Sequence, residues 1–452
     1  MLIFAFVQAA HVLKNISAAT LLALATSLAA APIVYAQPST AAATTPATLS
    51  LNEAQRLAVT RSQQLAAQDS MVTSAREMAV AAGQLPDPVL KLGVDNVPVN
   101  GADRFSIGTD FMTMRRIGVM QEFIRDDKRK LKAERYEREA NRAVTEKAAA
   151  TAEVQKFTAL AWLDRYYLER MRAAVAAQAD ETKLEIEAAE GAYRAGRGSQ
   201  ADIFAARAAR VMLDDRLSEL ERRSRNARVM LARWVGPAAA AALDGAPPFK
   251  SVPLNANALD DNLKRHPEIA ILQRQVDSAE TEVQLAKANK QTDWSIEVSY
   301  QERGPAFANM FSVGVAIPLQ WDQKNRQDRE VAAKVALTER AKAQQEDALR
   351  KHTVEVRSML NEWENGLERI ARFERELVPL ARERTHAALA AYRGGKSDLN
   401  AVLAARKNEI DVGTQSLQLA MDTARIWAQL NFLVPGEDHL AHIETAVIKE
   451  TK

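Results

Sequence analysis

The sequence predicts a mainly α-helical protein with a smaller β part, built as two copies of one half-protein. Three observations predict it. Tyr193-Arg194-Ala195-Gly196-Arg197, leading to Ala205-Ala206-Arg207, recurs as Tyr392-Arg393-Gly394-Gly395-Lys396, leading to Ala404-Ala405-Arg406. Arg61-Ser62-Gln63-Gln64-Leu65-Ala66 likewise pairs with Arg265-His266-Pro267-Glu268-Ile269-Ala270. Both offsets are near 200 residues, too long for a solenoid repeat. Second, residues 119–190 contain neither Gly nor Pro and are rich in Ala, Glu, Arg, Lys and Leu, all good helix formers. Third, segments of strict two-residue alternation lie ahead of each long helical run.

The chain begins with an expected export signal. Lys14 precedes an apolar stretch, Ala18 to Ala31, and Val34-Tyr35-Ala36 supplies small residues at the usual cleavage positions. Residues 1–36 are therefore read as a signal peptide and 37–48 as a flexible Thr/Ala/Pro-rich segment. A membrane-anchoring helix is the competing reading of that run. No later stretch approaches the ~20 consecutive apolar residues of a spanning helix.

The first repeat is read over 49–248 and the second over 249–436, with a C-terminal tail over 437–452. In each, an opening helix precedes a β-hairpin, about 89–123 and about 293–319. A long helix follows. In the first half it runs through the Gly- and Pro-free stretch, which at 1.5 Å per residue reaches roughly 100 Å. In the second half it runs from Leu319 past Gly366 and Pro379 to Tyr392. Return helices are expected over roughly Gln200–Val235 and Asp398–Leu433. The glycines of the repeated motif permit positive φ at a tight reversal, so 193–199 and 392–397 are expected to be the tips of two long hairpins. Ala148, Ala149, Ala150 and Ala152, with Ala201, Ala205, Ala206, Ala208 and Ala209, let neighbouring helices approach closely. Helices alone fit an ordinary coiled-coil rod.

The strands argue otherwise. In residues 294–301, Trp294, Ile296, Val298 and Tyr300 alternate with Ser295, Glu297, Ser299 and Gln301. Phe311, Val313, Val315 and Ile317 alternate with Ser312, Gly314 and Ala316. Leu90, Leu92 and Val94 alternate with Lys91, Gly93 and Asp95, and their return strand lies within Phe105–Phe123. Period two with aromatic ends is the weak signature of transmembrane β-strands, and half-buried hairpins of a soluble domain alternate in the same way. Four strands cannot close a barrel in lipid, where an open edge leaves backbone groups unpaired. Copies must then pool strands: two copies give eight and three give twelve.

Composition excludes much else. The net charge is +2, falling to +1 without residues 1–36, against the basic surface of a nucleic-acid binder. There is no Cys, which excludes disulfides, zinc–thiolate sites, thiol catalysis and a lipid-modified N-terminal Cys. Six His are scattered, and no phosphate loop, Ser elbow or metal-binding helix motif occurs. No enzyme and no cofactor is expected. A periplasmic coiled-coil adaptor or scaffold is the rival from another class, but it would lack amphipathic strands between the helices of both halves.

The duplicated layout and paired tip motifs resemble the TolC-type outer-membrane efflux proteins. So do Leu85-Pro86-Asp87-Pro88, Gln121-Glu122 and Asn431-Phe432-Leu433-Val434-Pro435-Gly436. The resemblance covers about Leu49 to Gly436. It implies a homotrimer whose long antiparallel helical hairpins form a periplasmic α-barrel, beneath a shared twelve-stranded transmembrane β-barrel with four strands per chain. It implies a passive exit duct in outer-membrane lipid, coupled through a periplasmic adaptor to an inner-membrane pump of the RND type. It places Tyr193, Arg194, Gly196 and Ser199, with Tyr392, Arg393, Gly395, Lys396 and Ser397, at the adaptor contact. Where the best-known member carries acidic gate rings, this chain has Ala401 and Ala404. Asp202 and Asp398 are the candidate gate residues instead, although a carboxylate at a helix start also suits the helix dipole, and Ser397 is a candidate N-cap. The Pro86-Asp87-Pro88 and Asn96-Val97-Pro98-Val99 segments, with 110–116, resemble the heavy-metal branch, implying cations such as copper or silver. A multidrug or type I secretion duct of the same fold is the alternative. Met112, Met114 and Met120 are weak candidate soft-metal contacts, and His439 and His442 a weak pair in the tail. No resident metal site is expected.

Overall fold

The computed structural model describes residues 48–196, 198–252, 263–264 and 266–433, all within one unit. The expected signal peptide, most of the 37–48 segment, Arg197, Arg265, Val434-Pro435-Gly436 and the tail with His439 and His442 lie outside the described residues.

Strand β1 (Thr48–Leu49) leads into helices α1 (Leu51–Arg61) and α2 (Gln63–Ala82). Both are started by serine: Ser50 Oγ accepts from Glu53 N and Ser62 Oγ from Leu65 N, satisfying orphan first-turn donors. Strands β2 (Val89–Asp95) and β3 (Met114–Phe123) precede α3 (Asp126–Arg194), a single helix of 69 residues. At 1.5 Å per residue it extends roughly 100 Å. Helix α4 (Gln200–Val235) returns and ends in β4 (Ala242–Leu243), which pairs in parallel with β1. The second half follows with α5 (Pro267–Ala288), β5 (Trp294–Glu302), β6 (Met310–Ala316), α6 (Gln327–Arg372), α7 (Val378–Arg393) and α8 (Leu399–Asn431).

Several boundaries differ from the sequence expectation. The first long helix starts at Asp126, because Val119–Phe123 complete β3. Absence of Gly and Pro permits a helix without excluding a strand. The second long helix starts at Gln327, not Leu319. Asp322 Oδ1 accepts from Asn325 N and Asn325 Nδ2, a local side-chain turn that competes with helix. That helix is also interrupted: residues Phe373–Leu377 form a π turn just before Pro379. A proline lacks the amide that the regular ladder needs, and the wider turn absorbs the mismatch.

The four longer strands form one antiparallel sheet in the order β2-β3-β5-β6. The two halves thus join along β3 and β5, with Phe123 opposite Trp294 and Arg115 opposite Glu302, a pairing that alternation within each hairpin does not reveal. The helical core mixes both halves too. Trp162, Leu163 and Val175 of α3, Leu231 of α4, Val356 of α6, and Ala424, Trp427 and Leu430 of α8 belong to one buried cluster. Three tryptophans tie the connecting segments to it. Trp162 Nε1 donates to Leu49 O at 3.0 Å, Trp363 Nε1 to Phe249 O at 2.9 Å and Trp427 Nε1 to Ser251 O at 2.8 Å. Arg165, almost fully buried, donates to Ala239 O and Ala241 O, both at 2.8 Å.

Candidate functional site: an amphipathic sheet and two hairpin tips

Cross-strand partners share a face of a sheet, so the register sorts every strand residue. One face carries Leu90, Val119, Val298 and Val313 in one row and Leu92, Ile117, Tyr300 and Phe311 in the next. Ile296, Val315 and the stacked pair Phe123–Trp294, 4.4 Å between centroids, extend it. These side chains are largely exposed: Leu92 is 71% and Phe311 68% accessible. Trp294, Ile296, Val298 and Tyr300 therefore lie on one face, and that face is an apolar band without cover in the single chain.

The opposite face is polar. Lys91 Nζ lies 2.5 Å from Glu297 Oε2, Arg116 Nη1 lies 3.6 Å from Glu297 Oε1, and Arg116 Nε lies 3.1 Å from Asp95 Oδ2. Ser312 and Gln301 share a hydrogen bond there. Gly118 faces Ser299 so closely that a Cβ at 118 would sit 2.8 Å from the Ser299 Cβ. Met114 and Met120 belong to this face, opposite Asp95 and Glu297 respectively. They are six strand residues apart, roughly 20 Å at strand rise, and Met112 lies in the exposed loop before β3. The three thioethers do not form one ligand set.

At the far end of the helices the two tips have the same construction. Gly196 has φ +71° and Gly395 φ +70°, the left-handed region that glycine enters without steric cost. Their amides donate to Tyr193 O and Tyr392 O, each at 3.0 Å. Among the described residues, adjacent ones aside, no atom lies within 4 Å of where a Cβ on either glycine would stand, so both glycines expose backbone. Tyr193, Arg194, Ser199, Arg393 and Lys396 are exposed, and Ser397 is half-buried. Tyr392 packs instead against a small buried cluster of Ala189, Ala206, Leu399 and Val402, so its ring braces the tip.

The two aspartates are engaged in starting helices. Ser199 Oγ accepts from Asp202 N at 3.2 Å while Asp202 Oδ2 accepts from Ser199 N at 2.9 Å, a reciprocal capping box. In the second tip the N-cap is Asp398, whose Oδ1 accepts from Ala401 N at 3.0 Å. Ser397, the sequence candidate, instead donates its hydroxyl to the Asp398 carbonyl at 3.5 Å. A carboxylate suits that position better because it also meets the positive end of the helix dipole.

Behind the tips lies a contact that sequence reading missed. Arg406 pairs with Glu181 and, at 3.1 Å, with Glu185. Glu185 is 6% accessible, and burial pushes its carboxyl above the usual carboxylate range against the pull of Arg406. The repeat gave a hint, since Arg406 corresponds to Arg207, which pairs with Glu190 at 2.8 Å. Farther along, Arg216 reaches Asp411 at 2.7 Å and Arg425 grips both oxygens of Asp164 at 2.7 and 2.8 Å, so α8 is held to both α3 and α4.

No protein-family model matches the chain, and no curated protein sequence is detectably similar to it. Solved structures are. The fold is that of the outer-membrane channels. The outer membrane protein VceC from Vibrio cholerae is 19% identical with a TM-score of 0.69, covering 85% of this chain and 96% of its own. CusC, known from structures of transmembrane channel formation, is 14% identical with a TM-score of 0.69, covering 85% and 92%. The CmeC outer membrane channel of Campylobacter jejuni is 12% identical with a TM-score of 0.67, covering 89% of each chain. Shared architecture at such identity speaks for the fold, while function must come from the sites.

Proposed function

We propose that this chain is the outer-membrane duct of a tripartite export system, a homotrimer extending from the outer membrane into the periplasm. The observation that carries the reading is the four-stranded sheet with one predominantly apolar face and two open edges, mounted on long helices of which α3 alone extends roughly 100 Å. Lipid cannot satisfy the edge amides and carbonyls of β2 and β6. Those edges run in opposite directions, because three antiparallel pairings separate them. Copies added edge to edge therefore continue the alternation and can close. Eight strands would pack their interior with side chains. Twelve leave a lumen, where the Lys91–Glu297–Arg116–Asp95 charges keep their water. The apolar band, with Trp294, Ile296, Val298 and Tyr300, then faces lipid.

The two repeats, 49–248 and 249–436, each contribute one helical hairpin to a periplasmic tube. Tips 193–199 and 392–397 dock the periplasmic adaptor, which links the duct to an inner-membrane RND-type pump. Arg194, Arg393 and Lys396 offer charged hydrogen bonds, and Gly196 and Gly395 allow close backbone approach. Asp202 and Asp398 close the tube from their capped positions. The duct is passive and carries out no reaction. Its cargo, on the resemblance to the heavy-metal branch, is cations such as copper or silver, which the methionines, spread along β3 and its loop, would meet singly in transit.

The test is assembly. After export and signal removal the protein should fractionate with the outer membrane and run as a detergent-resistant trimer. A monodisperse water-soluble monomer would overturn the architecture. Deletion of the gene, assayed against copper, silver and a panel of organic toxicants, separates a metal duct from a multidrug one.

A further inference from the structure

Away from the sheet and the tips, two histidines far apart in sequence meet. His266 caps α5, and Pro267 follows it at the first helical position. A residue before proline is confined to extended backbone, here φ −59° and ψ 132°, so the backbone that carries the imidazole is set before any ligand arrives. His352 comes from the middle of α6. The two rings lie 4.8 Å apart between centroids. Glu268, two residues beyond His266, puts Oε2 at 2.6 Å from His352 Nε2. Ligand atoms of His266, Glu268 and His352 all lie within 4.8 Å of one another. Glu355 stands on the other side, its Oε2 3.5 Å from His352 Nδ1.

We infer that His266, Glu268 and His352 form a binding site for a borderline divalent cation of the zinc class, with Glu355 orienting His352 from behind. Two imidazoles and one carboxylate are a donor set for zinc, nickel or copper(II) rather than for magnesium or calcium. A metal-bound imidazole commonly donates its second ring N–H to a carboxylate, and Glu355 is placed to accept it. The exchange balances. A cation entering between His352 Nε2 and Glu268 Oε2 releases the proton of that hydrogen bond to water, and Nδ1 faces Glu355. His266 is buried beside the His352 ring. Its present bond, Glu268 N to His266 Nδ1, is long at 3.3 Å, so giving it up costs little. The start of α5 and nearby Lys156 oppose a cation, and the carboxylates of Glu268 and Glu355 offset them. The bound ion would clamp α5 to α6 as a resident of the helical layer, distinct from any exported cargo.

The experiment uses the full protein in detergent, stripped with a chelator and then dialysed against zinc. One zinc per protomer is expected, with a rise in melting temperature that magnesium does not reproduce. Cobalt(II) in its place should give visible absorption typical of nitrogen–oxygen ligation. His352→Gln and Glu268→Gln, both at least partly exposed, should assemble normally and bind zinc at least tenfold more weakly. Glu355→Gln should weaken it by about tenfold, the usual size of an outer-shell effect. His439→Gln combined with His442→Gln controls for the tail and should bind as wild type. Wild type without zinc, undiminished binding in both His352→Gln and Glu268→Gln, or loss of binding in the tail variant would each overturn the site. None of those results bears on the duct reading.

Discussion

At the scale of single residues, the strand register decides which substitutions a membrane would tolerate. Val298 stands on the apolar face and Ser312 on the polar one. Val298→Arg near mid-membrane should cost about 2–4 kcal/mol and reduce assembled trimer, whereas Ser312→Arg should be tolerated. Band intensities of trimer and monomer on a semi-denaturing gel check this, and equal tolerance would reject the register. Ser299, the neighbouring polar residue in β5, makes a poor control because it is packed against Gly118. Glu185 offers a second residue-scale outcome. Its folded-state pKa is raised, chiefly by burial, so it adds stability at low pH that is lost as pH rises through the raised folded value. Glu185→Gln should therefore lie within about 1 kcal/mol of wild type at pH 7, since removing a buried charge offsets the lost ion pair. As pH falls from 7 toward 5, wild type should gain on the variant in melting temperature. A relative loss for wild type over that range would show that Arg406, not burial, dominates.

At the scale of elements, the hairpin tips turn on two glycines with positive φ and open space around them. An alanine there meets no neighbour and pays only the left-handed backbone penalty, about 1–2 kcal/mol, within a loop remote from the sheet. Gly395→Ala should leave assembly intact and export slightly reduced. Gly395→Trp should also assemble, yet block the adaptor, and adding Gly196→Trp should deepen the deficit because both hairpins contribute. Resistance of cells to the exported toxicant, with crosslinking to the adaptor, is the readout. Full resistance and normal crosslinking in the double Trp variant would remove the tips from the docking surface. The interrupted second hairpin, with its π turn before Pro379, has no counterpart in the continuous α3, so the duplicated halves are not mechanically identical.

At the scale of the whole molecule, β2 and β6 are the two outer strands of the four-stranded sheet, and the proposed duct joins them between copies. Within one chain two strands separate them, about 14 Å at the usual strand spacing, beyond the ~7 Å Cα separation that a disulfide can bridge. The chain has no Cys, so engineered pairs are unambiguous. A scan pairing Lys91→Cys with Ser312→Cys or Gly314→Cys should yield, under oxidation, covalent dimers and trimers that survive denaturation and collapse to monomer on reduction. Monomer alone across the scan would mean that these edges never meet between copies.

Much of this was legible in the sequence because it is local. A long Gly- and Pro-free, Ala-rich run favours helix over most of its length, here from Asp126 onward, and Gly196 and Gly395 announce reversals because few other residues accept positive φ. Alternation in β2, β5 and β6 was visible since each side chain reports its own face. The strand β3 was harder to see: Arg115 and Gln121 lie on its apolar face and Gly118 and Met120 on its polar one, so its faces do not sort by polarity. What only the tertiary structure decided is nonlocal. The junction of the two halves along β3 and β5, the pairing of Arg406 with Glu185, and the meeting of His266 with His352 each join residues far apart in the chain. No local propensity encodes such meetings; they follow from how long helices and paired strands pack once formed.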